Sequence, residues 1–581
     1  MKKILALCLA MLLVFGMLAG CASTTDTTAQ TDTPAAEEPK AEEPKAEEPK
    51  AEEPKAEEPK AEQPAEEPAE EPAEEKSWLP LVDTPEHLSF WMPWTDPIDP
   101  NSLSPADNEV YPEVEKATGV IIDFTTVASA AVNEQFSLML ASGTFCDIVA
   151  KGRPDWPGGI LSCIDNDILM DVSDLITGGA APHYMAVRES DPGLYIDTME
   201  DGGAIAGFLR LLTTTQKAWT GLYLSKTLAS EAGYDVDNIS TLDEWDDMLS
   251  KFKARGDLPI PYELTATGLD APLMTSFNIP TGENFQAWFR HQGDEIEFSQ
   301  TTDDFYNYLK LCNDWYNRGI ISSEFYGDKP AGRNMDIVAA GERGVFHAGG
   351  TAGTNISNMD DSKKEYVAVP APLPDGWTTR NVTQCNSCSS RAEGVFYGIT
   401  ATCSNPELAV RWCDYFYSDE AFLLVNYGIE GITYEMVDGK PVYTEYTTKN
   451  PDHYSWENII YHYGLKNSFP ALYKWDAQFE GAAETTTRAY GPNGFDKFYK
   501  PEYDVFTLPP QMSLNQEESE FYTSTISDIQ TYVSEMVPKF ISGQEPLTDE
   551  AWGEYKENIE NMHIQECIDI LEDVYARYKS R

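Results

Sequence analysis

The chain has 581 residues, 41% of them hydrophobic, and a formal net charge of −56. This length exceeds what one hydrophobic core usually serves and predicts two or more domains. The acidity argues against nucleic-acid binding and against lying flat on anionic lipid, and it favours neutral or cationic ligands over polyanions.

Residues 1–21 have the pattern of an export leader. Lys2 and Lys3 precede an apolar run over residues 4–17, which is too short to span a membrane. The closing Leu18-Ala-Gly-Cys21 resembles a bacterial lipobox, which implies a signal peptide over residues 1–20 and a lipid on Cys21. The alternative is an ordinary secretory signal. The lipobox interpretation predicts a protein anchored by lipid at the extracellular face of the cell membrane.

Residues 21–76 are predicted to be a disordered linker. The unit Ala-Glu-Glu-Pro-Lys repeats five times over residues 36–60, and shorter Ala-Glu-Glu-Pro units follow. The regular prolines block helix and sheet, and there is almost nothing apolar to bury. The segment therefore predicts an extended stalk, although a repeat of no required length is an alternative interpretation.

Between residues 78 and 156 the sequence predicts an α/β unit with a mostly parallel sheet. The apolar spacing predicts strands over 87–91, 120–127 and 145–150, and helices over 110–118 and 133–141. Ligands of such sheets lie at the carboxyl ends of the strands. The side chains that follow strand ends, and are therefore candidate ligand contacts, are Trp94, Lys151, Arg153 and Trp156.

A second set of elements is predicted further along the chain. It comprises a strand pair over 204–212 and 220–225, a helix over 245–253 opened by a capping box at Thr241–Glu244, a helix over 303–319 and a strand over 344–348. The last strand leads into a glycine-rich loop at 349–353. This loop could be a turn or a phosphate-binding loop, and the lack of a lysine at Walker spacing favours the turn.

Cysteines and acidic residues offer two weak metal signals. Cys385 and Cys388 form a lone CxxC, for which zinc, a redox dithiol, a loop disulfide and free thiols are alternatives; the last two are favoured because no second pair has zinc-site spacing. The carboxylates at 235, 237, 243 and 244 could serve calcium, but a helix start explains them better.

Several stretches resemble extracellular solute-binding proteins of carbohydrate ABC importers, the family that includes the maltodextrin-binding proteins. Residues 137–149 are similar to an ASGxxPDI motif, with Cys146 in place of the proline, and Thr241–Trp245 matches TLDEW. The strongest stretch is 394–434, and the matches continue to the last helix. Relatives of this size often carry a calcium loop after TLDEW, whose ligands residues 254–261 lack.

The resemblance implies the α/β two-lobe periplasmic-binding-protein-like fold (type II), with a hinge and an inter-lobe cleft. We expect lobe one to comprise residues 80–212 and 392–445, and lobe two residues 213–391 and 446–581. The resemblance further implies a protein that delivers an oligosaccharide to the transmembrane subunits of an ABC permease. We expect it to be a monomer, to have no enzymatic activity and to need no cofactor or metal.

Sugar binding needs aromatic faces against the C–H faces of the rings and planar polar groups for the hydroxyls. By position or by similarity, the further candidate contacts are Trp219, Tyr262, Glu263, His347 and Gln511. A surface glycoside hydrolase is the alternative from another class, because the many carboxylates would allow an acid pair, although HExxH and GxSxG motifs are absent. A sugar-sensing lipoprotein is a third interpretation.

Overall fold

The computed structural model describes residues 78–215, 220–281, 287–327, 335–349, 366–378, 381–382, 390–452, 454, 456–465, 468–474, 495 and 505–581. The chain divides into Met1–Glu75 and Lys76–Arg581, and every described residue belongs to the second unit. The predicted leader, Cys21 and the whole of the predicted stalk therefore lie outside the described residues.

Strands and helices alternate along much of the described chain. The strands are β1 (Glu86–Pro93), β2 (Val120–Val127), β3 (Ile148–Gly152), β4 (Gly207–Leu212), β5 (Thr220–Ser225), β6 (Ile260–Tyr262), β7 (Phe289–Gln292), β8 (Glu295–Phe298), β9 (Arg343–Gly349), β10 (Tyr366–Val369), β11 (Ala392–Ile399), β12 (Tyr434–Val437), β13 (Lys440–Tyr443) and β14 (Leu472–Tyr473). The α-helices are α1 (Tyr111–Thr118), α2 (Val132–Ser142), α3 (Gly159–Asp165), α4 (Ser173–Leu175), α5 (Pro182–Glu189), α6 (Pro192–Asp197), α7 (Lys226–Glu231), α8 (Leu242–Ala254), α9 (Ala271–Thr275), α10 (Asp303–Asn317), α11 (Met335–Ala340), α12 (Pro406–Tyr415), α13 (Asp419–Tyr427), α14 (Glu445–Thr448), α15 (Trp456–Tyr463), α16 (Gln516–Ser542), α17 (Asp549–Asn561) and α18 (Ile564–Lys579).

The first core is built on a sheet of six described strands in the order β14-β4-β11-β3-β1-β2. Strand β11 is antiparallel to both its neighbours, and the other pairs are parallel. The carboxyl ends of five strands and the start of β11 therefore share one edge. Phe90, Tyr111, Trp412 and Phe416 pack on one face of this sheet. The mostly parallel order of the strands agrees with the predicted α/β unit.

The second core is built on a sheet of four described strands in the order β10-β5-β9-β6, covered by long helices. Helix α8 begins with the predicted capping box, in which the Thr241 hydroxyl accepts from the Glu244 amide and Glu244 accepts from the Thr241 amide. Helix α10 buries the predicted face, including Phe305, Leu309 and Trp315, mainly against α16. Apolar residues at helical spacing thus position both helices.

The predicted strand pair over 204–212 and 220–225 is wrong as a pair. Strand β4 belongs to the six-stranded sheet and β5 to the four-stranded sheet, so the chain passes from one core to the other between them. Two apolar runs separated by a short polar segment have the pattern of a hairpin. Each run is buried in a different core, and the predicted lobe boundary at residues 212–213 also lies between the two runs.

Leu465 and residues 468–473, which the sequence analysis placed in lobe two, contribute to the first core. Strand β14 pairs with β4, and Leu465, Phe469 and Tyr473 are buried in the first cluster. This segment is short and has no strong periodicity, so its sheet partner is set by long-range packing. The remaining lobe boundaries stay predictions.

Candidate functional site

The shared edge of the first sheet contains a pocket of about 250 Å³, which we call the strand-end pocket. Its walls include residues from the ends of β1 and β3, from β11 and from the segment before β14. Its lining includes Ala150, Lys151, Val395, Tyr397 and Ser468. The carboxyl edge of such a sheet is where α/β proteins bind ligands, so this pocket is the candidate site on the first core.

Lys151 supplies backbone to this pocket but turns its side chain to the other face of the sheet. Its Nζ donates to Asp155 Oδ2 at 2.6 Å and to Asn133 Oδ1 at 2.9 Å. It also lies 5.6 Å from the centre of the Phe136 ring. The register places Lys151 opposite Phe396, whereas Ala150 is opposite Tyr397. The predicted contact residue is thus buried and already paired.

Tyr397 belongs to the lining of the pocket, and Arg210 projects from the same face of the sheet without lining it. The Tyr397 hydroxyl is buried and has no hydrogen-bond partner among the described residues. Arg210 Nε lies 3.1 Å from Glu393 Oε2, an ion pair without the alignment that a hydrogen bond requires. Burial acts to lower the pKa of Arg210, but Glu393 and then Tyr397 raise it above the usual value, so the guanidinium stays charged.

The two predicted tryptophans near this edge are core residues in this conformation. Trp94 is 9% exposed, and its Nε1 donates to Ser102 Oγ at 3.1 Å. Trp156 is 2% exposed and packs edge-on against Phe136 and Phe396. Neither side chain presents a free face on which a sugar ring could stack.

Arg153 and Gln511 meet where the two cores join. Arg153 Nη1 donates to Gln511 Oε1 at 2.5 Å and to the Asp197 carbonyl at 3.2 Å, and Nη2 donates to Glu200 and Ser513. The flanking residues of Gln511 and Ser513 pack in the second core, whereas Arg153 follows β3 of the first. We call the cluster of Arg153, Glu200, Gln511, Ser513 and Arg581 the junction.

The last residues of the sequence complete the junction. The Arg581 guanidinium donates to the carbonyls of Met199 at 2.8 Å and Gln511 at 3.0 Å, and to Asp201 at 2.7 Å. Tyr578 donates to Asp197, whose pKa burial raises above the usual range. These bonds tie α18 to the first core beside Arg153.

A glycine allows the two cores to approach closely at the junction. Gly159 begins α3 with φ +82°, a left-handed conformation that favours glycine. A Cβ at this position would also collide with the Leu514 carbonyl oxygen. Any other residue would therefore both strain the backbone and separate the cores.

The second sheet holds the other predicted contacts, at the ends of β6 and β9. Tyr262 is fully buried, with its ring 5.3 Å from that of Trp315. Glu263 accepts from Arg343 Nε at 2.7 Å. His347 Nε2 lies 2.8 Å from Thr220 Oγ1, and burial lowers the pKa of the imidazole to about 4, so it is neutral at pH 7. Trp219 lies outside the described residues.

Tyr397, Arg210 and Glu393 were not predicted from the sequence. The predicted contacts were chosen because they follow strands, whereas Arg210 lies within β4 and Tyr397 within β11. A signal was present, since Arg210 interrupts an otherwise apolar strand. A charged side chain inside such a strand indicates a paired or functional group.

A larger cavity of about 510 Å³ lies on the first core, beside Trp78 and His183. Their rings are 4.5 Å apart, and His183 Nδ1 lies 2.7 Å from Asp414 Oδ2. The Asp414 carboxylate and the His183 imidazole are paired with one another, and the lining also includes Asp174, Glu407 and Arg411. The cavity lies away from the carboxyl edge of the sheet, so it is not the candidate sugar site.

Metal and disulfide chemistry can be assessed within the described ranges only. Those ranges contain no group of three or more His, Cys, Asp or Glu that could hold a metal ion. Cys146, Cys163, Cys312, Cys403, Cys413 and Cys567 are free thiols. Cys385, Cys388 and most of the glycine-rich loop lie outside the described residues. No helix in the described part of the chain has the length and apolarity that crossing a membrane requires.

Comparison with known proteins gives one family match. The model of the family "bacterial extracellular solute-binding protein" matches residues 100–421. No curated protein matches the chain.

Solved structures resemble the chain over most of its length. The alginate-binding protein AlgQ2 without calcium is 18% identical, with a TM-score of 0.65 over 85% of this chain and 99% of that chain. An HMO-binding, ABC-transporter-associated solute-binding protein from Bifidobacterium longum infantis is 16% identical, with a TM-score of 0.67 over 86% and 99%. S. pneumoniae FusA in complex with kestose is 16% identical, with a TM-score of 0.66 over 85% and 100%. These similarities identify the predicted two-lobe periplasmic-binding-protein-like fold.

Proposed function

Because the chain belongs to the bacterial extracellular solute-binding protein family, we propose that it captures an oligosaccharide between its two lobes and delivers it to the permease of an ABC importer. The observation that carries the proposal is the strand-end pocket, which places hydrogen-bonding groups at the carboxyl edge of the first sheet. The names of the three solved relatives, which refer to alginate, HMO and kestose, support a carbohydrate as the solute. The protein acts as a monomer and binds its ligand without chemical change.

The mechanism follows from two cores joined at a polar junction. A ligand that contacts both lobes stabilises the closed form over the open form, because only the closed form satisfies both faces of the ligand. The junction residues stay bonded while the lobes rotate about them. The closed form then docks on the permease, which releases the sugar inward.

The ligand contacts combine predicted residues with residues found in the structure. The strand-end pocket, with Tyr397 and Ser468 in its lining, serves the first lobe, and His347 with Thr220 serves the second, at the carboxyl end of β9. Trp219 precedes β5 and stays a predicted stacking residue. Arg153 and Gln511 act through the junction rather than on the ligand.

The binding proposal is tested by calorimetry with a panel of defined oligosaccharides. Kestose, maltotriose, xylotriose and an alginate trisaccharide are titrated into the purified protein. We expect saturable binding of at least one neutral member, and chromatography should recover that sugar intact after prolonged incubation. The absence of binding by every member at millimolar concentration would contradict the proposal, and cleavage of a bound sugar would favour the hydrolase interpretation.

The lipid anchor is proposed at Cys21, after removal of residues 1–20 as a signal peptide, at the extracellular face of the membrane. Replacing Cys21 by alanine should abolish incorporation of labelled palmitate in a bacterial host and release the protein into the medium. Cys8 is a matched control, because it lies within the apolar run that is removed, so Cys8→Ala should stay anchored. Equal labelling of the wild type and Cys21→Ala would rule out this anchor.

A further inference from the structure

The cavity beside Trp78, which we call the Trp78 cavity, is built by separate parts of the first core. Trp78 and Leu81 precede β1, Leu175 ends α4, and His183 lies in the first turn of α5. Helix α12 closes the remaining wall. The volume of about 510 Å³ falls within the roughly 300–1,000 Å³ of small-molecule sites. The Trp78 cavity shares no lining residue with the strand-end pocket, so it can hold a ligand of its own.

Aromatic rings form a fixed wall of the Trp78 cavity. The centre of the Trp78 ring lies 4.5 Å from that of His183 and 6.1 Å from that of Tyr415. His183 is in turn paired with Asp414, whose carboxylate also accepts from the Tyr184 amide at 2.7 Å. Trp78 stays only partly buried. An apolar group can therefore pack on this wall at little cost in ordering the protein.

Charged side chains of both signs line the same cavity. Glu407 and Arg411 come from α12, and Asp174 comes from α4. Within the described ranges, none of these three side chains has a hydrogen bond or an ion pair. Water solvates them in the ligand-free protein. A ligand that displaces this water has to supply partners, because a desolvated, unpaired charge is costly. A singly charged ligand leaves one sign unpaired, whereas a zwitterion pairs both.

The spacing of the charges sets the length of such a zwitterion. Four residues of α-helix rise about 6 Å, which separates Glu407 from Arg411 along α12. Two residues of extended peptide span about 7 Å, so the ammonium and carboxylate of a dipeptide match this separation. Gly178 and Gly179 also line the cavity, and a Cβ on either would meet no atom within 4 Å. The cavity thus has open space for a ligand side chain.

We propose that the Trp78 cavity is a second binding site, for a zwitterionic peptide of about two residues, whose carboxylate pairs with Arg411, whose ammonium pairs with Glu407 and whose apolar side chain packs on Trp78. This site is separate from the proposed sugar site. It would take a solute of a different chemical class, and it does not depend on sugar binding.

The first test titrates the full-length protein with the dipeptides Leu-Leu, Val-Leu and Phe-Leu by calorimetry. At least one should bind saturably. Removing either of its charges, by N-acetylation or by C-terminal amidation, should weaken binding roughly threefold or more. Arg411→Gln should weaken the dipeptide and its acetylated form but not the amide, and Glu407→Gln should weaken the dipeptide and the amide but not the acetylated form. Neither variant removes a described protein contact, so the thermal midpoint should change little.

The second test fills the cavity. Gly178→Leu places a side chain in open space, without backbone strain, and should lower dipeptide affinity at least tenfold. The matched control is Gly553→Leu in α17 of the second core, where a Cβ also meets no atom within 4 Å, and its dipeptide affinity should equal that of the wild type. Both variants should keep the thermal midpoint and the sugar affinity of the wild type.

Three results would overturn the inference. The first is that no dipeptide binds the wild type at millimolar concentration. The second is that Gly178→Leu binds a dipeptide as tightly as Gly553→Leu does. The third is competition between dipeptide and oligosaccharide, because it would place the peptide in the sugar site. A protein that binds dipeptide but no sugar would contradict the proposed function and leave this inference standing, and the reverse result would do the opposite.

Discussion

Replacing Arg153 by methionine is expected to lower the free energy of unfolding by about 3–5 kcal/mol, because it leaves a buried carboxylate without its partner. Glu200 is 3% exposed, and among the described residues it keeps only the Ser513 hydroxyl, at 2.5 Å, as a side-chain donor. Methionine preserves much of the volume, so the effect isolates charge and hydrogen bonding from packing. Urea unfolding followed by tryptophan fluorescence measures the change.

A double variant and a surface control make this result specific. Adding Glu200→Gln to Arg153→Met removes the unpaired buried charge and should recover much of the lost free energy of unfolding. Arg255 forms ion pairs with Glu231 and Asp257 at the surface, so Arg255→Met should cost less than about 1 kcal/mol. If Arg153→Met instead weakens sugar binding while stability is unchanged, Arg153 is a ligand contact and not a junction residue.

Replacing Phe469 by alanine is expected to cost about 3–5 kcal/mol in the first core, the usual effect of removing a buried aromatic ring. Phe469 is fully buried, and its ring stacks on Phe416 at 4.9 Å and lies 5.8 Å from Tyr111. Hydrogen exchange should show lost protection in β1, β4 and α12 and preserved protection in the second core.

The control for this prediction is an exposed phenylalanine on the second core. Phe521 in α16 is 40% exposed, so Phe521→Ala should change the free energy of unfolding by less than about 1 kcal/mol. If the Phe469→Ala variant instead loses protection in α8 and α10 while the first core stays protected, Phe469 belongs to lobe two, as the sequence analysis expected.

Local patterns predicted much of the secondary structure, because the elements concerned satisfy local rules. Strand β2 was predicted with its exact bounds, and the capping box at Thr241 and the buried face of α10 were predicted as found. Apolar periodicity and capping act within a few residues, so they can be recognised in the sequence. The family motifs, in their order along the chain, predicted the two-lobe fold, and the solved relatives confirm it.

Long-range placement accounts for what the sequence did not predict. The apolar runs of β4 and β5 predicted a pair of strands, but the two strands belong to different sheets. Arg153 follows β3, as a ligand contact would, but Glu200, Gln511 and Ser513 surround it at the junction. Residues that are distant in sequence supply these partners, and local patterns do not specify them.

The candidate site shows the same limit. Trp94 and Trp156 were predicted as ligand contacts because they follow strands, but the structure places both in the core. The same criterion did not predict Tyr397, which lies within a strand. Tyr397 stands out because its hydroxyl is buried with no hydrogen-bond partner in the described part of the chain, which depends on the packing of β11 between β3 and β4. The predicted ligand contacts at the second sheet stay predictions.

The most direct test of a two-lobe sugar clamp is a crystal structure of the protein with the oligosaccharide chosen by calorimetry. The account predicts an intact sugar that contacts the strand-end pocket on the first lobe and the Thr220–His347 edge on the second. A sugar bound to one lobe alone, for example in the cavity beside Trp78, would contradict the account.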